Sequence, residues 1–270
     1  MMKKIGLDEL KAIELQMLQY IDQVCRNNNL TYFLAYGSLL GAVRHKGFIP
    51  WDDDIDLHMP HRDLEILESI LNSTNSPYQL LTHNTRGYYY TFCKIVDKRT
   101  YIREHRFTEE IPQLGVYIDI FQFDGLPQID SDKHLESINK TRAKLALYAY
   151  HGCRPRKNVF YFLKKKIEWL VIKSHDMSFY QQQMYELQRK YDYYVSENVV
   201  DVGSPYRYTF PRCMFDEIID AEFEGIKIRI PRAYDAYLTK AYGDYMALPP
   251  VEKRVTHHDF DAYWRDTSRR

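Results

Sequence analysis

From Asp52 to Met59 the chain reads DDDIDLHM, with four aspartates in five positions running straight into an apolar stretch. No other segment restricts the fold so tightly. From Asp54 onward polar and apolar residues alternate, the period of a strand whose successive side chains point to opposite faces. Carried back through the cluster, that period predicts Asp52, Asp54 and Asp56 on one face and Asp53 on the other. Like charges this close repel strongly unless a cation sits among them. Their hard oxygens suit Mg²⁺ or Mn²⁺. A solvated acidic turn is the competing reading, and the apolar strand that follows argues against it. A calcium loop fails on its own spacing, which asks for Gly where Leu57 stands and for Glu where Asp63 stands.

The surrounding periodicities give an α+β chain, a mixed sheet flanked by helices. Apolar residues from Leu7 to Cys25 recur at helical spacing. TYFLAY (31–36) reads as a short buried strand, and Gly37 and Ser38 are expected to turn the chain into a short helix with Ser38 at or near its N-cap. HRDLEILESILNS reads as a helix. YQLLTH, YYYTFCKIV and GVYIDIFQFDGLP read as strands. Residues 130 to 200 read as a helical insertion, and 205 to 270 as a closing segment of strand (FEGIKIRIP), helix (RAYDAYLTKAY) and loop (GDYMALPP).

Lys+Arg and Asp+Glu balance at 37 each, which argues against bulk capture of nucleic acid. The four cysteines are scattered, so a zinc ribbon or disulfide framework is not expected and a reducing cytoplasm fits. No window approaches the length of apolar sequence needed to span a bilayer, and the N-terminal stretch does not read as a secretory signal. Residues 154–173 place Phe160, Leu163, Ile167, Leu170 and Val171 on one face of a lysine-rich helix. Such a face commonly packs on its own domain; it can also make peripheral contact with anionic lipid, here at the inner face of the membrane. The 24 tyrosines could line a sugar or quaternary-ammonium site, though most tyrosines edge a core.

The arrangement Gly37-Ser38, helical spacer, Asp54-Ile55-Asp56-Leu57 resembles the nucleotidyltransferase signature. In that chemistry small residues admit a phosphate to a helix N-terminus, and paired carboxylates hold metals that clamp an in-line displacement. The longer string YGSLLGAVRHKGFIPWDDDIDLHMPHRDLE is similar to the hallmark of the LicD family, relatives of fukutin and fukutin-related protein. The similarity continues through YYTFCKIVDKRT, VYIDIFQFDGLP and YGDYMALPPVEKR, and it is weakest over 130–200. The zinc-binding cysteines of fukutin-related protein have no counterpart here.

This resemblance implies one catalytic unit over 1–270, with a nucleotidyltransferase-like core at 30–127. It implies metal-dependent transfer of phosphocholine from a CDP-choline donor to a glycan acceptor, a sugar hydroxyl on a teichoic acid or lipopolysaccharide precursor that can be lipid-linked. Asp54, Asp56 and Asp119 are then the catalytic metal ligands, with Asp52 a further ligand and Asp119 also a candidate base. Gly37, Ser38 and Lys94 would meet donor phosphates. Arg44 could hold the diphosphate or the acceptor, its planar fork suiting phosphate. Trp51 could face choline or pack on Pro50, and Lys253, Arg254 and His257 are candidate substrate contacts. The same carboxylates could transfer another phospho-alditol or a nucleotide, and a choline- or glycan-binding accessory protein is the non-enzymatic rival.

Overall fold

The computed structural model describes residues 3–105, 111–149, 159–205, 208–255 and 259–265. Helix α1 (Leu7–Asn27) buries Leu10, Ile13, Met17, Leu18, Ile21 and Cys25 on one face, as its spacing predicts. Asp8 and Glu9 in its first turn complement the helix dipole. Strand β1 (Phe33–Leu34), helix α2 (Tyr36–Arg44), strand β2 (Asp56–Met59) and helix α3 (His61–Ser73) follow. Then come β3 (Tyr78–Leu81), β4 (Cys93–Asp97), β5 (Thr100–Glu104) and the long, wholly buried β6 (Tyr117–Gly125). Helices α4 (Ser131–Ala149), α5 (Val159–Ile172) and α6 (Met177–Gln188) form the expected helical region. The chain closes with β7 (Asn198–Asp201), β8 (Phe210–Pro211), β9 (Ile218–Phe223), β10 (Ile226–Pro231), α7 (Tyr234–Tyr242) and β11 (Phe260–Trp264).

The main sheet runs β1-β2-β6-β4-β3, with β7 on the far end of β6 and β8 on β7. Only the β2–β6 pair is parallel among its described pairings; the rest are antiparallel. Helix α1 packs on β6 and β10, and the apolar faces of α1, α3 and the sheet form one core. A second cluster joins α4 and α6 through Ile138, Leu145, Tyr180 and Met184 to Leu126, Val200 and Val202. Strand β5 leaves the main sheet to pair with β11, and β9 and β10 form a hairpin of their own.

Three local expectations change. The strand begins at Asp56, not at Asp52, because the Asp52 N–H donates to the Ile49 carbonyl (2.9 Å) and closes a turn after Pro50. The extended pairing starts where Ala35 donates to the Asp56 carbonyl and Asp119 to that of Ile55, both at 2.9 Å. Asp52, Asp53 and Asp54 therefore lie on a loop, and no pleat sorts them onto faces. Second, Gly37 and Ser38 do not turn the chain. Helix α2 is capped by Ala35, and Tyr36 takes the left-handed bend (φ 44°) at a cost of about 1 kcal/mol. Its half-buried phenol holds that bend by donating to the Asp201 carboxylate. Third, YYYTFCKIV is a strand only from Cys93, and the tyrosines before it pack ring against ring outside the strand.

Candidate active site

The sheet register builds the centre of the site. Asp56 on β2 is paired with Asp119 on β6, and Asp119 with Lys94 on β4, so the three α-carbons form one row across adjacent strands. Paired residues in a sheet project to the same face. The row is thus carboxylate, carboxylate, ammonium, drawn from residues far apart in sequence. Lys94 is 2% exposed and its Nζ donates to Asp119 Oδ1 at 2.6 Å. Three rings close over the same ammonium, with centroids at 3.4 Å for Tyr117, 4.5 Å for Tyr90 and 5.1 Å for Phe92. A buried cation is tolerated only with such partners. In this arrangement Lys94 anchors the Asp119 carboxylate from within the sheet.

The loop at 52–54 brings further carboxylates to the row. Burial, then the charges of Asp52 and Asp119 and a hydrogen bond to Asp52, push the Asp54 carboxyl well above its usual range. Gly37 explains how Asp52 reaches this place: a β-carbon at residue 37 would lie 2.7 Å from Asp52 Oδ2. The glycine is the space in which that carboxylate sits, over the first turn of α2. Ser38 is buried, and its Oγ accepts from the Asp56 N–H at 2.8 Å, tying the helix to the head of the strand.

Glu14 of α1 also belongs to this group, and periodicity alone hid it among the helix's apolar positions. It is 2% exposed, and its Oε2 has no hydrogen-bond partner among the described residues. Burial, followed by the charges of Asp54, Asp53 and Asp119, raises its carboxyl well above the ordinary range. A carboxylate at an inward position of an otherwise apolar helical stripe is the signal that could have singled it out.

A cationic and aromatic corner stands beside the aspartate loop. The Arg44 guanidinium donates to the carbonyls of Tyr245 (2.7 Å) and Ala247 (3.2 Å). Arg254 donates to the Pro249 carbonyl at 2.9 Å and lies over the Trp51 ring, 5.2 Å from its centroid. Burial first, then the charge of Arg254, lower the Arg44 pKa, so the two guanidinium groups are near neighbours. Trp51 is therefore covered by Arg254 and met edge-on by His45. Lys253 is exposed in the turn Val251–Lys253, and His257 lies outside the described residues.

Hard carboxylate oxygens of this kind are the donors a divalent cation takes. Among the described residues no three His, Cys, Asp or Glu side chains are gathered closely enough to form a ready-made metal cage. The donors nonetheless fit in kind: several hard carboxylates crowd one place and destabilise one another's charge. Mg²⁺ commonly keeps several waters and takes only one or two carboxylates together with substrate phosphates, which needs no closed cage.

Asp124, next to the glycine that ends β6, has a different task. It is fully buried, accepts from the His61 ring (2.8 Å) and the His61 N–H (3.2 Å), and so fixes the start of α3.

A mixed sheet flanked by helices, with a carboxylate–carboxylate–ammonium row and a two-arginine corner, defines an α+β protein whose site is built around paired negative and positive charge. The family model for the LicD/FKTN/FKRP nucleotidyltransferase domain matches residues 29–146, which include the loop and all three members of the row. The chain is 32% identical to the lipopolysaccharide cholinephosphotransferase LicD of Haemophilus influenzae, over 97% of this chain and 99% of that protein. Uncharacterised proteins of Rickettsia typhi and Rickettsia prowazekii match shorter stretches, at 36% and 41% identity over 30% and 26% of this chain. The chain belongs to the LicD family.

Proposed function

We propose that this protein transfers phosphocholine from CDP-choline to a sugar hydroxyl of a cell-surface glycan precursor, of lipopolysaccharide or teichoic acid. The observation that carries this reading is the Asp56–Asp119–Lys94 row, in a chain that aligns end to end with a protein named as a lipopolysaccharide cholinephosphotransferase. Asp54, Asp56 and Asp119, with Asp52 beside them, would hold Mg²⁺ or Mn²⁺. Bound there, the ion would neutralise the donor diphosphate and ease departure of CMP.

The chain's own residues supply the rest. In the transfer, the acceptor oxygen bonds to the choline-bearing phosphorus as the bond from that phosphorus to CMP breaks. The acceptor's proton needs a base within hydrogen-bond reach, and Asp119 is the candidate. Lys94 positions that carboxylate from within the sheet. Gly37 leaves room for Asp52. Arg44 and Arg254 would meet the diphosphate or the acceptor from the corner beside Trp51, their planar forks matching phosphate oxygens. An acceptor still carried on lipid would set the protein to work at the inner face of the cytoplasmic membrane. No helix among the described residues is long and apolar enough to cross a membrane.

The test is CMP release from CDP-choline by purified protein with a glycan acceptor, in Mg²⁺ or EDTA, with Asp56→Asn as control. Release that needs metal, acceptor and Asp56 supports the proposal. Release only from CDP-ribitol, CDP-glycerol or CTP keeps the chemistry and discards choline. Binding of choline or glycan that persists in EDTA and in the variant, without turnover of any donor, would make the protein an accessory binder.

A further inference from the structure

The lysine-rich helix α5 does not pack its apolar stripe on the domain. Among its residues Val159, Phe160, Leu163, Ile167, Leu170 and Val171 are 48–86% exposed. At ~100° per residue these six fall in one continuous arc of about 120°. The opposite side holds the helix in place: Ile172 is buried and Trp169 half-buried against the cluster formed by α4 and α6. The stripe therefore faces outward because the other face is already used.

Charge is sorted around it. On the same helical wheel Lys166 and the following Lys173 border one edge of the arc, and Lys164 borders the other. All three are exposed. The one acidic residue of the helix, Glu168, lies away from the stripe and pairs with Lys165 at 2.5 Å. Lys173 also lies over the Trp169 ring, 4.4 Å from its centroid, which keeps its stem along the helix.

We propose that α5 is a docking surface for an anionic lipid bilayer, lying in the headgroup region with the six-residue stripe turned toward the acyl chains. An apolar arc bordered by lysines on both edges matches a negatively charged interface, where the stems run along the surface and the ammonium groups reach phosphate. With 14 residues the helix is too short to span, since spanning takes ~20. It lies on the membrane. The inference stands apart from the chemistry of the site, and its failure would leave the transfer reading intact.

The experiment is flotation of the full-length protein with vesicles of phosphatidylcholine, with and without phosphatidylglycerol, at low and at high salt. Binding to the anionic vesicles that weakens with salt is expected. The pair Phe160→Ser and Ile167→Ser should lower the partition coefficient about tenfold or more, through lost apolar burial. The triple change Lys164→Gln, Lys166→Gln, Lys173→Gln should cost at least about fivefold, on anionic vesicles only. All these positions are exposed, so melting temperature and CMP release from soluble substrates should be unchanged. The proposal is overturned if the protein floats with neither vesicle, or if neither variant alters flotation. It is equally overturned if sedimentation reveals a dimer that the serine pair dissociates while flotation persists, which would assign the stripe to a second copy of the chain.

Discussion

At residue 37 the absence of a side chain is what leaves room for the Asp52 carboxylate. A methyl group there would meet the Asp52 carboxylate at 2.7 Å, and that carboxylate is the movable end of a side chain on a loop. Gly37→Ala should therefore fold with a melting temperature within about 2 °C of the parent, since alanine favours a helix. Transfer should nonetheless fall at least about tenfold, because a displaced charge at a reacting centre is costly. Equal loss of stability and activity would refute the assignment. Lys94 lies at the other extreme. Its removal strands Asp119 in the sheet, and Lys94→Met should destabilise the protein by about 3–5 kcal/mol in denaturant titration. Asp201 offers a pH signature. Burial raises its carboxyl to about 6, against the lowering effect of the hydrogen bonds from Tyr36, Ser204 and Gly203. A raised carboxyl binds its proton more tightly in the fold, so its contribution is fully present below the usual carboxylate range and is lost as pH rises through about 6. The shift corresponds to about 3 kcal/mol by linkage. Asp201→Asn does not ionise, so its melting temperature should gain on the parent between about pH 4 and pH 7 and then hold level. A gap that is constant with pH would show that Asp201 is not the group titrating.

At the level of elements, the loop between α2 and β2 is held from outside by the β9–β10 hairpin. Glu224 and Gly225 form its left-handed turn (φ 49° and 77°), a geometry that matches strand twist. The Glu224 N–H donates to the Lys46 carbonyl at 2.8 Å, and its carboxylate accepts from the Phe48 N–H at 3.0 Å. From the inside, α2 meets the same loop at Gly41, where a β-carbon would lie 2.4 Å from the Gly47 carbonyl oxygen. That neighbour is backbone and cannot swing away. Gly41→Ala should lose about 1–3 kcal/mol, unlike Gly37→Ala, and thermal melts of the two variants compare the cases directly. These packing relations also explain what could be read in advance. The row partners Asp56 and Asp119 were legible because strand period and motif both fall on them. Asp52 and Asp54 were misplaced on a strand because alternation does not reveal the turn closed by Ile49. Glu14 was hidden because a helical stripe makes every inward position look apolar. The approach of Arg254 to Trp51 and of Asp201 to Tyr36 depends on tertiary paths with no local sequence pattern.

Across the whole molecule, the carboxylates come from three separate parts of the chain: Glu14 from α1, Asp52 and Asp54 from the loop before β2, Asp119 from near the start of β6. The start of α1 and strand β11 are also joined to each other and to the core, since β11 pairs with β5 and the Trp264 indole donates to Glu9 at 2.9 Å. Such convergence stores like-charge repulsion in the folded state, because unfolding would separate the groups. A cation that binds only the fold would remove that penalty and stabilise all three segments together. Mn²⁺ at about a hundred times its Kd should add about 2.7 kcal/mol, read as a rise of several degrees in melting temperature. Asp54→Asn should raise the melting temperature without metal, by deleting one of the repelling charges, and should reduce the increment that Mn²⁺ gives. The two changes have opposite consequences for stability, and a purely architectural aspartate would produce neither. If Asp54→Asn lowers the metal-free melting temperature and leaves the Mn²⁺ increment whole, the crowding at the head of β2 has another cause, and Asp54 leaves the set of proposed ligands.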